Sequence, residues 1–402
     1  MTKISSKTFK SNKIDLVILA GGKGSRIKQY LKDSPKPMLK FNKIHFIQYL
    51  LNKFSKYPFR NIYILTGYKG NKIFKKYHGK YINFIKINCI KEKKLMGTGG
   101  ALYSLKNKIS DFLLINGDTF FDIDINHLIK NTKKNICTIA LIKNNYQKSK
   151  KLNLLNLNKN IVNYDAKGKL MNGGIYYFNK EIFKYIPNKK ISLENQILPK
   201  LIKKKKICGI TFKDFFIDIG SKKFFKIAQK KLKYYLNKKA AFLDRDGVIN
   251  YDFGYVCDKK KFKIRKGVIK GLQFLIKKKY HIFLVTNQAG IAKKKFSEER
   301  FINFHRYLKY IFHLKQIYFD DVQYCPYHPK GKVKKFKKFS NYRKPGNLMV
   351  KKIEKNWIIN KKKSFMIGDK ISDKLCSIKS NLYFEFAKEN FFNQVKFINK
   401  RF

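Results

Sequence analysis

The sequence predicts an α/β protein built from two consecutive domains, and three observations support this. Short apolar runs of β type alternate with longer helical stretches from Ile14 onward, which is typical of sheets with helices between their strands. The alternation starts again at Ala240, where a short apolar run precedes two closely spaced aspartates. The chain has 402 residues, more than one ordinary core needs and enough for two domains of about 150 to 230 residues.

The elements follow in order along each half. The first half contains five predicted strands and one closing helix: Ile14–Leu19, Ile62–Thr66, Phe112–Asn116, Cys137–Ile142, Gly174–Phe178 and the helix Lys222–Leu236. The second half contains five predicted strands: Ala240–Leu243, His281–Val285, Tyr318–Gln323, Ser364–Ile367 and a last one near Phe386. We therefore expect domains at 13–236 and 237–402, with residues 1–12 as an N-terminal extension.

The formal charge of +67 raises the question of a polyanionic partner. Lysine is spread along the whole chain, and Asn, Ile, Phe and Tyr are abundant as well, which is typical of an AT-rich genome. A functional basic patch should instead be local, so we favour mutational bias over binding to nucleic acid or a membrane.

Six cysteines stand singly, which indicates a reducing compartment, and we expect a cytoplasmic protein. No run of about 18 apolar residues occurs, so the sequence predicts no membrane span.

A glycine-rich run, LAGGKGSR from Leu19 to Arg26, follows the first predicted strand and opens a helix. Backbone N–H groups in such a turn can hold phosphates. The spacing matches neither the P-loop nor the dinucleotide pattern, and taken alone the run is about as often structural as ligand-binding.

Together with PKPM at 35–38, this run resembles the hallmark of the sugar-1-phosphate nucleotidyltransferases. The family's further motifs follow in order: Glu92 with GTGGA at 97–101, NGD at 116–118, NGGIY at 172–176, SLE at 192–194 and FIDIG at 216–220. Phe216 and Ser221 stand where the family pattern has Trp and Thr. The resemblance implies a Rossmann-like domain with a GT-A-like mixed sheet.

In this family a sugar 1-phosphate oxygen attacks the α-phosphorus of a nucleoside triphosphate and expels pyrophosphate. The resemblance implies that Asp118 and Asp218 hold Mg²⁺, although any single Asp could instead be a cap or turn residue. It also implies that Arg26 and Lys36 neutralise the triphosphate. The expected nucleotide and sugar contacts are Gly21, Gly22, Gly24, Gly97, Gly99, Asn172, Gly173 and Glu194.

The second half carries Asp244-Arg245-Asp246-Gly247 directly after a short apolar strand, the end of a strand at which α/β folds bind ligands. Taken alone this could be a turn or a calcium loop, but calcium needs more carboxylates close by. With TNQ at 286–288, RKP at 343–345 and Asp369 and Asp373 after a later strand, the set resembles the haloacid-dehalogenase phosphatases.

That resemblance implies a parallel, Rossmann-like sheet and an aspartyl-phosphate mechanism. Asp244 is then the nucleophile, and Asp246 protonates the leaving alcohol and activates water. Thr286, Asn287 and Lys344 bind phosphoryl oxygens, and the implied Mg²⁺ ligands are Asp244, Asp246 and Asp369.

Longer segments resemble one branch of that superfamily, the D,D-heptose 1,7-bisphosphate 7-phosphatases: GYV at 254–256, TNQAGIA at 286–292, YCP at 324–326 and RKPG at 343–346. By this resemblance Arg343 contacts a substrate phosphate. Many members carry a zinc loop, whose four ligand positions read Cys325, Tyr327, Ser340 and Tyr342 here. Tetrahedral zinc needs four good donors, so we expect no zinc.

The two activities suggest consecutive steps toward a nucleotide-activated heptose, with GTP as the donor by resemblance to the guanylyltransferase branch. Two alternatives remain: the same chemistries on another sugar phosphate, such as a mannose-type 1-phosphate with a histidinol-phosphate-like phosphatase, or the processing of nucleic-acid ends. The sequence leaves the oligomeric state open.

Overall fold

A computed structural model describes residues 14–31, 33–130, 135–143, 154–165 and 167–402. The predicted extension, 1–12, lies outside the described residues. Within them the chain divides into two compact units: the first runs to Lys230 except for 52–58, and the second comprises 52–58 and 231–402.

The first unit is built on a mixed sheet. Its strands are β1 (Asp15–Leu19), β2 (Lys40–Phe41), β3 (Ile44–His45), β4 (Ile62–Thr66), β5 (Tyr81–Ile82), β6 (Ile85–Lys91), β7 (Phe112–Asn116), β8 (Thr119–Phe121), β9 (Cys137–Lys143), β10 (Leu155–Asn158), β11 (Ile161–Tyr164), β12 (Leu170–Phe178), β13 (Ile207–Phe212) and β14 (Phe216–Asp218). The large sheet has the order β10-β11-β13-β9-β12-β7-β1-β4-β6-β5. Strands β7, β1, β4 and β6 run parallel, whereas β12 is antiparallel to both of its neighbours.

The helices that begin in this half are α1 (Lys28–Leu31), α2 (Phe46–Ser55), α3 (Asn71–Tyr77), α4 (Gly97–Tyr103), α5 (Ile125–Lys130), α6 (Leu198–Lys203) and α7 (Lys222–Leu236). The central strands β1 and β7 are almost continuously apolar and buried, as expected for parallel strands covered on both faces. Across all described ranges, no helix has the length and apolar character needed to cross a membrane.

The second unit is a parallel sheet with helices. Its strands are β15 (Ala240–Leu243), β16 (His281–Asn287), β17 (Asp321–Cys325), β18 (Phe365–Gly368) and β19 (Tyr383–Phe386), in the order β17-β16-β15-β18-β19. Every pairing in it is parallel. Its helices are α8 (Val268–Lys277), α9 (Ala289–Ala292), α10 (Glu298–Leu314), α11 (Leu348–Asn356), α12 (Ile371–Lys379) and α13 (Phe391–Arg401). The predicted fold class, one mixed and one parallel sheet, is confirmed.

Two strand predictions needed correction. The strand predicted from Tyr318 begins at Asp321, because the Asp320 carboxylate accepts a hydrogen bond of 2.8 Å from the Ile282 backbone N–H, just before the β16–β17 ladder starts. The strand predicted from Gly174 begins at Leu170, since β12 pairs with β9 on both sides of an irregularity between Asn172 and Tyr176.

Candidate active sites

A cavity of about 700 Å³ opens at the carboxyl ends of the central strands of the first unit. Ten of the residues predicted for this site line it: Gly21, Gly22, Gly24, Arg26, Lys36, Gly97, Asp118, Asn172, Glu194 and Asp218. Segments distant in sequence converge there, because the parallel strands β1, β4 and β7 end at this edge of the sheet and the antiparallel strand β12 carries Asn172 to it.

The glycine-rich turn depends on the backbone conformation of Gly24. This residue has φ of +64°, in the left-handed region, and its carbonyl accepts a hydrogen bond of 3.0 Å from the Ile27 N–H. A Cβ at Gly24 would lie 2.9 Å from Cδ1 of Leu31 and 3.6 Å from Cβ of Lys36. The glycine therefore brings the turn close to the Lys36 side chain.

Asp118 and Asp218 meet through a two-stranded ladder. Asp118 directly precedes β8, which pairs antiparallel with β14 so that Thr119 lies opposite Asp218. The Ile219 N–H donates to the Asp118 carbonyl at 2.9 Å. Burial, together with the charge of Asp118, raises the pKa of Asp218 to about 6.

Lys36 is the cation of this site. Its Nζ lies 2.6 Å from Oδ2 of Asp118, and the residue is 8% exposed. Two neighbouring carboxylates, one with a raised pKa, are hard oxygen donors whose repulsion a divalent cation would relieve, so these residues fit a metal.

Glu194 is oriented by Thr98, which the sequence analysis did not single out. The Thr98 hydroxyl donates to Oε2 of Glu194 at 2.5 Å and accepts from the Leu193 N–H at 2.9 Å. Asn172 is also constrained, because its Oδ1 accepts from the Gly174 N–H at 2.9 Å and its Nδ2 donates to the Tyr176 hydroxyl at 2.7 Å.

Gly99 and Gly173, predicted as ligand contacts, lie outside the cavity lining and have packing roles. A Cβ at Gly99 would lie 2.6 Å from Cδ1 of Ile197, and one at Gly173 would lie 2.6 Å from Cε1 of Phe121. These glycines let neighbouring elements approach closely, and their contact with a ligand stays a prediction.

The second site lies at the carboxyl ends of three strands of the second unit. Asp244 follows β15, Thr286 and Asn287 end β16, and Asp369 follows β18. Asp244 is 6% exposed and Lys344 only 2%. This placement brings together residues that come from distant parts of the chain.

Lys344 is a buried cation with three partners. Its Nζ lies 3.0 Å from Oδ2 of Asp244 and 2.5 Å from Oδ1 of Asp373, and it donates to the Val285 carbonyl at 2.7 Å. Burial raises the pKa of Asp244 to about 7, with Lys344 opposing the rise and Asp373 adding to it. Burial disfavours the charged lysine, but Asp244 and Asp373 hold the Lys344 pKa above its ordinary value.

Three carboxylates can hold a metal here. Oxygen atoms of Asp244, Asp369 and Asp373 all lie within 4.8 Å of one another. Within the described part of the chain, the buried Oδ1 of Asp369 has no hydrogen-bond partner, as expected for a ligand atom of a cation. Gly247, with φ of +80°, leaves room for the Asp369 carboxylate, which a Cβ there would strike. The group therefore fits a divalent cation.

Asp246, predicted as a metal ligand, has its carboxylate outside this group of three, which includes Asp373 instead. The part of Asp246 in holding a metal stays a prediction. Four donors hold Asp246: Arg245 through Nε at 3.1 Å and Nη2 at 2.7 Å, Asn250 at 2.9 Å and Gln288 at 2.9 Å. Burial opposes ionisation, but the Arg245 guanidinium and the other donors hold the Asp246 pKa below its ordinary value. The spacing of Asp369 and Asp373 was visible in the sequence, but it did not reveal which carboxylates come close to one another.

The predicted phosphate contacts differ in availability. Asn287 uses both side-chain groups on the Lys344 backbone, accepting at 3.0 Å and donating at 3.1 Å, so it positions Lys344, and its contact with phosphate stays a prediction. The Thr286 hydroxyl oxygen accepts from Gln288 at 2.9 Å and keeps its own proton to donate. Among the described residues, the buried Nη1 of Arg343 has no partner, which leaves it available for a phosphate oxygen.

The four positions of the zinc loop are occupied by packing and hydrogen bonds. The Tyr342 hydroxyl donates to Oε1 of Gln323 at 2.5 Å, and the Tyr342 N–H donates to the Ser340 hydroxyl at 3.1 Å. The Tyr327 ring lies 6.2 Å from that of Phe336. The expectation that this loop needs no zinc stays a prediction.

Comparison with known proteins matches each half to a family of enzymes. Residues 16–234 match the nucleotidyl transferase family, and residues 242–396 match the polynucleotide kinase 3 phosphatase family. The first half is similar to the D-glycero-α-D-manno-heptose 1-phosphate guanylyltransferase of Campylobacter jejuni, with 34% identity over 210 residues, covering 51% of this chain and 93% of that protein.

The second half is similar to D-glycero-β-D-manno-heptose-1,7-bisphosphate 7-phosphatases. The Vibrio cholerae enzyme is 40% identical over 140 residues, covering 35% of this chain and 75% of that protein. The Escherichia coli enzyme is 36% identical over 143 residues, covering 36% and 75%. A crystal structure of HddC from Yersinia pseudotuberculosis aligns with a TM-score of 0.47 and 28% identity, covering 55% of this chain and 99% of that one. The sequence matches confirm both predicted resemblances.

Proposed function

Because the chain belongs to the nucleotidyl transferase family in its first half and to the polynucleotide kinase 3 phosphatase family in its second, we propose that it catalyses two consecutive steps toward a nucleotide-activated heptose. The phosphatase unit removes the 7-phosphate of D-glycero-D-manno-heptose 1,7-bisphosphate. The transferase unit then joins the heptose 1-phosphate to a nucleotide. One observation carries this proposal: a single chain is similar to an enzyme that makes a heptose 1-phosphate and to one that consumes it.

In the phosphatase step, a carboxylate oxygen of Asp244 attacks the 7-phosphorus, and the bond between phosphorus and the sugar oxygen breaks. Asp246, which must carry a proton when the substrate is bound, donates that proton to the departing sugar oxygen. Asp246 then takes a proton from a water molecule, whose oxygen attacks the phosphorus and releases phosphate from Asp244. Mg²⁺, held by Asp244, Asp369 and Asp373, would supply charge compensation for the phosphoryl oxygens.

Lys344, Thr286 and Arg343 support this step. The Lys344 ammonium lies 3.0 Å from Asp244, and its positive charge stabilises the negative charge that moves between the nucleophile and the phosphoryl group. The further donors for phosphate oxygens are the Thr286 hydroxyl, whose oxygen accepts from Gln288, and Nη1 of Arg343, which has no partner in the described ranges.

In the transferase step, the heptose 1-phosphate oxygen attacks the α-phosphorus of GTP, and the bond to the β-phosphate bridging oxygen breaks to release pyrophosphate. Lys36 and Arg26 line the cavity and neutralise the triphosphate. Asp118 and Asp218 would hold Mg²⁺, which would compensate the charge of the two anionic reactants. The choice of GTP follows from the similarity to a guanylyltransferase.

The anomer of the sugar decides whether the two steps can be consecutive. The phosphatase relatives are named for the β-anomer, whereas the guanylyltransferase relative is named for the α-anomer. Consecutive action requires both units of this chain to accept the same anomer, since neither step inverts the bond at C1.

The test is to incubate the purified chain with each anomer of the heptose bisphosphate, Mg²⁺ and an equal mixture of four nucleoside triphosphates, and to identify the products by mass spectrometry. We expect one anomer to yield heptose 1-phosphate and then GDP-heptose. If the bisphosphates stay intact, the heptose assignment is wrong. If one anomer is only dephosphorylated and the other heptose 1-phosphate only guanylylated, the steps are not consecutive.

A second candidate substrate is a phosphorylated end of nucleic acid. It rests on the description of the matching phosphatase family and on the formal charge of +67. An oligonucleotide with a 3′-phosphate, added at equal concentration to the heptose bisphosphate, tests it. Faster phosphate release from the oligonucleotide, lost as salt rises, would favour this candidate over the sugar.

A further inference from the structure

Arg245 stands between the two catalytic aspartates of the phosphatase and is fully buried. A buried guanidinium is costly unless its donors find partners. Its Nε and Nη2 grip the two oxygens of Asp246, at 3.1 Å and 2.7 Å, and Nη2 also donates to the Val256 carbonyl at 2.7 Å. The planar guanidinium thus sets the plane of the Asp246 carboxylate.

The remaining nitrogen of Arg245, Nη1, lies 3.0 Å from Nε2 of His305 on helix α10. His305 is 3% exposed, and burial, together with the charge of Arg245, holds its pKa well below the ordinary value. The imidazole is therefore neutral and Nε2 accepts the Arg245 N–H. Phe301 and Phe304 lie on the same helix, with ring centres 5.7 Å and 5.9 Å from the guanidinium carbon.

Gln288 links this group to the phosphate-binding side of the site. Its Nε2 donates to Oδ2 of Asp246 and to the hydroxyl of Thr286, both at 2.9 Å, and its Oε1 lies 3.3 Å from Nη2 of Arg245. Gln288 thereby fixes the position of the Asp246 carboxylate relative to Thr286, the proposed phosphate contact.

We propose that His305 is a positioning residue of the phosphatase: by holding Arg245, it fixes the orientation in which Asp246 transfers protons to the leaving sugar oxygen and from the attacking water. The proposal rests on the phosphatase part of the proposed function, and it does not depend on the identity of the sugar. Without the acceptor on His305, the buried Arg245 guanidinium loses one hydrogen-bond partner. It can then adopt other orientations, so the Asp246 carboxylate is no longer held in a single one.

The test compares His305→Leu, which removes the acceptor, with His305→Gln, which can supply one. The substrates are an alkyl ester, the heptose bisphosphate, and an aryl ester, p-nitrophenyl phosphate, whose leaving group needs no proton. The parameter is kcat/KM, which reports the formation of the aspartyl phosphate. We expect His305→Leu to lower kcat/KM for the alkyl ester by about tenfold or more, with a much smaller change for the aryl ester, and His305→Gln to restore most of the loss.

A merely structural role would lower kcat/KM for both esters equally, and that outcome, or no loss for the alkyl ester, would overturn the proposal. Nucleotidyl transfer by the same chain is the internal control for protein quality. If His305→Leu does not fold, Arg245→Lys tests the same link, because lysine keeps the charge but cannot grip both oxygens.

The failure of the proposed function would look different. If the wild-type chain hydrolyses the aryl ester but not the heptose bisphosphate, only the sugar assignment is wrong, and glucose 6-phosphate then serves as the alkyl ester. A wild-type chain that hydrolyses none of the three esters would overturn both the phosphatase assignment and the role of His305.

Discussion

The two sites of this chain place their lysines in different surroundings. In the transferase cavity, Lys36 contacts one carboxylate, Asp118, whose side chain is 29% exposed, and glycine backbone forms much of the lining. In the phosphatase site, Lys344 contacts two carboxylates, Asp244 and Asp373, and all three side chains are almost completely buried. In the first site, space and the positive charge of Lys36 remain available for incoming anions. In the second site, groups of the protein use all the hydrogen-bond donors of Lys344.

This difference follows from where each nucleophile comes from. A transferase that joins two diffusible anions must hold both of them, so it needs a wide cavity, few charges and backbone donors. A phosphatase that uses its own carboxylate as nucleophile must fix that group before substrate arrives, so its charges are preorganised and buried. Four predictions test this comparison, from the largest expected effect to the smallest.

Asp244→Asn should abolish phosphate release while sparing nucleotidyl transfer. The amide is a poor nucleophile and cannot form the aspartyl phosphate, so we expect a loss of about 10⁴-fold or more. Phosphate release and GDP-heptose formation from supplied heptose 1-phosphate are measured on the same preparation. A folded variant that lost both activities would show that the two sites are not independent.

Asp118→Asn should have the reverse effect, with a smaller magnitude. Removing one carboxylate that holds the metal and contacts Lys36 weakens charge compensation in the transition state, for an expected loss of about 10²- to 10³-fold in nucleotidyl transfer. Phosphate release from the heptose bisphosphate should stay at the wild-type rate. Unchanged pyrophosphate release in this variant would contradict the assigned role of Asp118.

Lys344→Met should destabilise the second unit, because it leaves Asp244 and Asp373 buried without their cation. Breaking a buried ion pair from one side costs about 3 to 5 kcal/mol of unfolding free energy. The single tryptophan, Trp357, lies in this unit, so its fluorescence can follow unfolding in denaturant.

The matched control for this prediction is Lys362→Met, which removes an exposed lysine and should change the free energy of unfolding by less than about 0.5 kcal/mol. Adding Asp373→Asn to Lys344→Met should recover part of the loss, since one uncompensated charge is then removed. Equal stability of Lys344→Met and the control would mean that the buried network is dispensable.

Asp218→Asn should stabilise the metal-free first unit at neutral pH. The Asp218 pKa is about 6 when folded against an ordinary 3.8, so its favourable contribution is complete below about pH 4 and is lost as pH rises through about 6. At about 1.4 kcal/mol per pKa unit, the free energy of unfolding of Asp218→Asn should exceed that of the wild type by up to about 3 kcal/mol at pH 7. This difference should shrink toward pH 4.

Calorimetry between pH 4 and pH 7, with divalent metal ions removed by a chelator, measures this difference in the free energy of unfolding. Asp33→Asn is the control, because the pKa of Asp33 is shifted in the opposite direction: Lys69 holds it below its ordinary value. This variant of an exposed residue should show no gain in the free energy of unfolding at neutral pH. A constant difference between Asp218→Asn and the wild type at all pH values would show that Asp218 does not titrate in this range.

Much of the fold and of both sites could be predicted from the sequence, because local patterns carried the information. The bounds of β4, β7, β15 and α7 agree with the prediction to the residue. Motifs that end strands, such as the segments before Asp118 and Asp244, could be placed because parallel strands deliver their carboxyl ends to one edge of the sheet.

What the sequence did not show are contacts between distant residues, which no local pattern encodes. Gly99 and Gly173 belong to the predicted motifs, and their contacts with Ile197 and Phe121 require them to be small. The hold of Arg245 on the Asp246 carboxylate was likewise not visible in the sequence. Each of these outcomes depends on neighbours from other parts of the chain.

By itself, the sequence determined the two-domain α/β organisation, the two classes of enzyme and the candidate carboxylates and cations of the two sites. These properties follow from periodicity, turn composition and ordered motifs, all of which are local. Only the tertiary structure decided that the carboxylates of Asp373, Asp244 and Asp369 lie close together. It also decided that Asn287 forms hydrogen bonds with the Lys344 backbone and that His305 forms one with Arg245. The physical reason is that a buried polar group takes whichever partner the packing brings within hydrogen-bond distance, and strand register and helix placement set that distance.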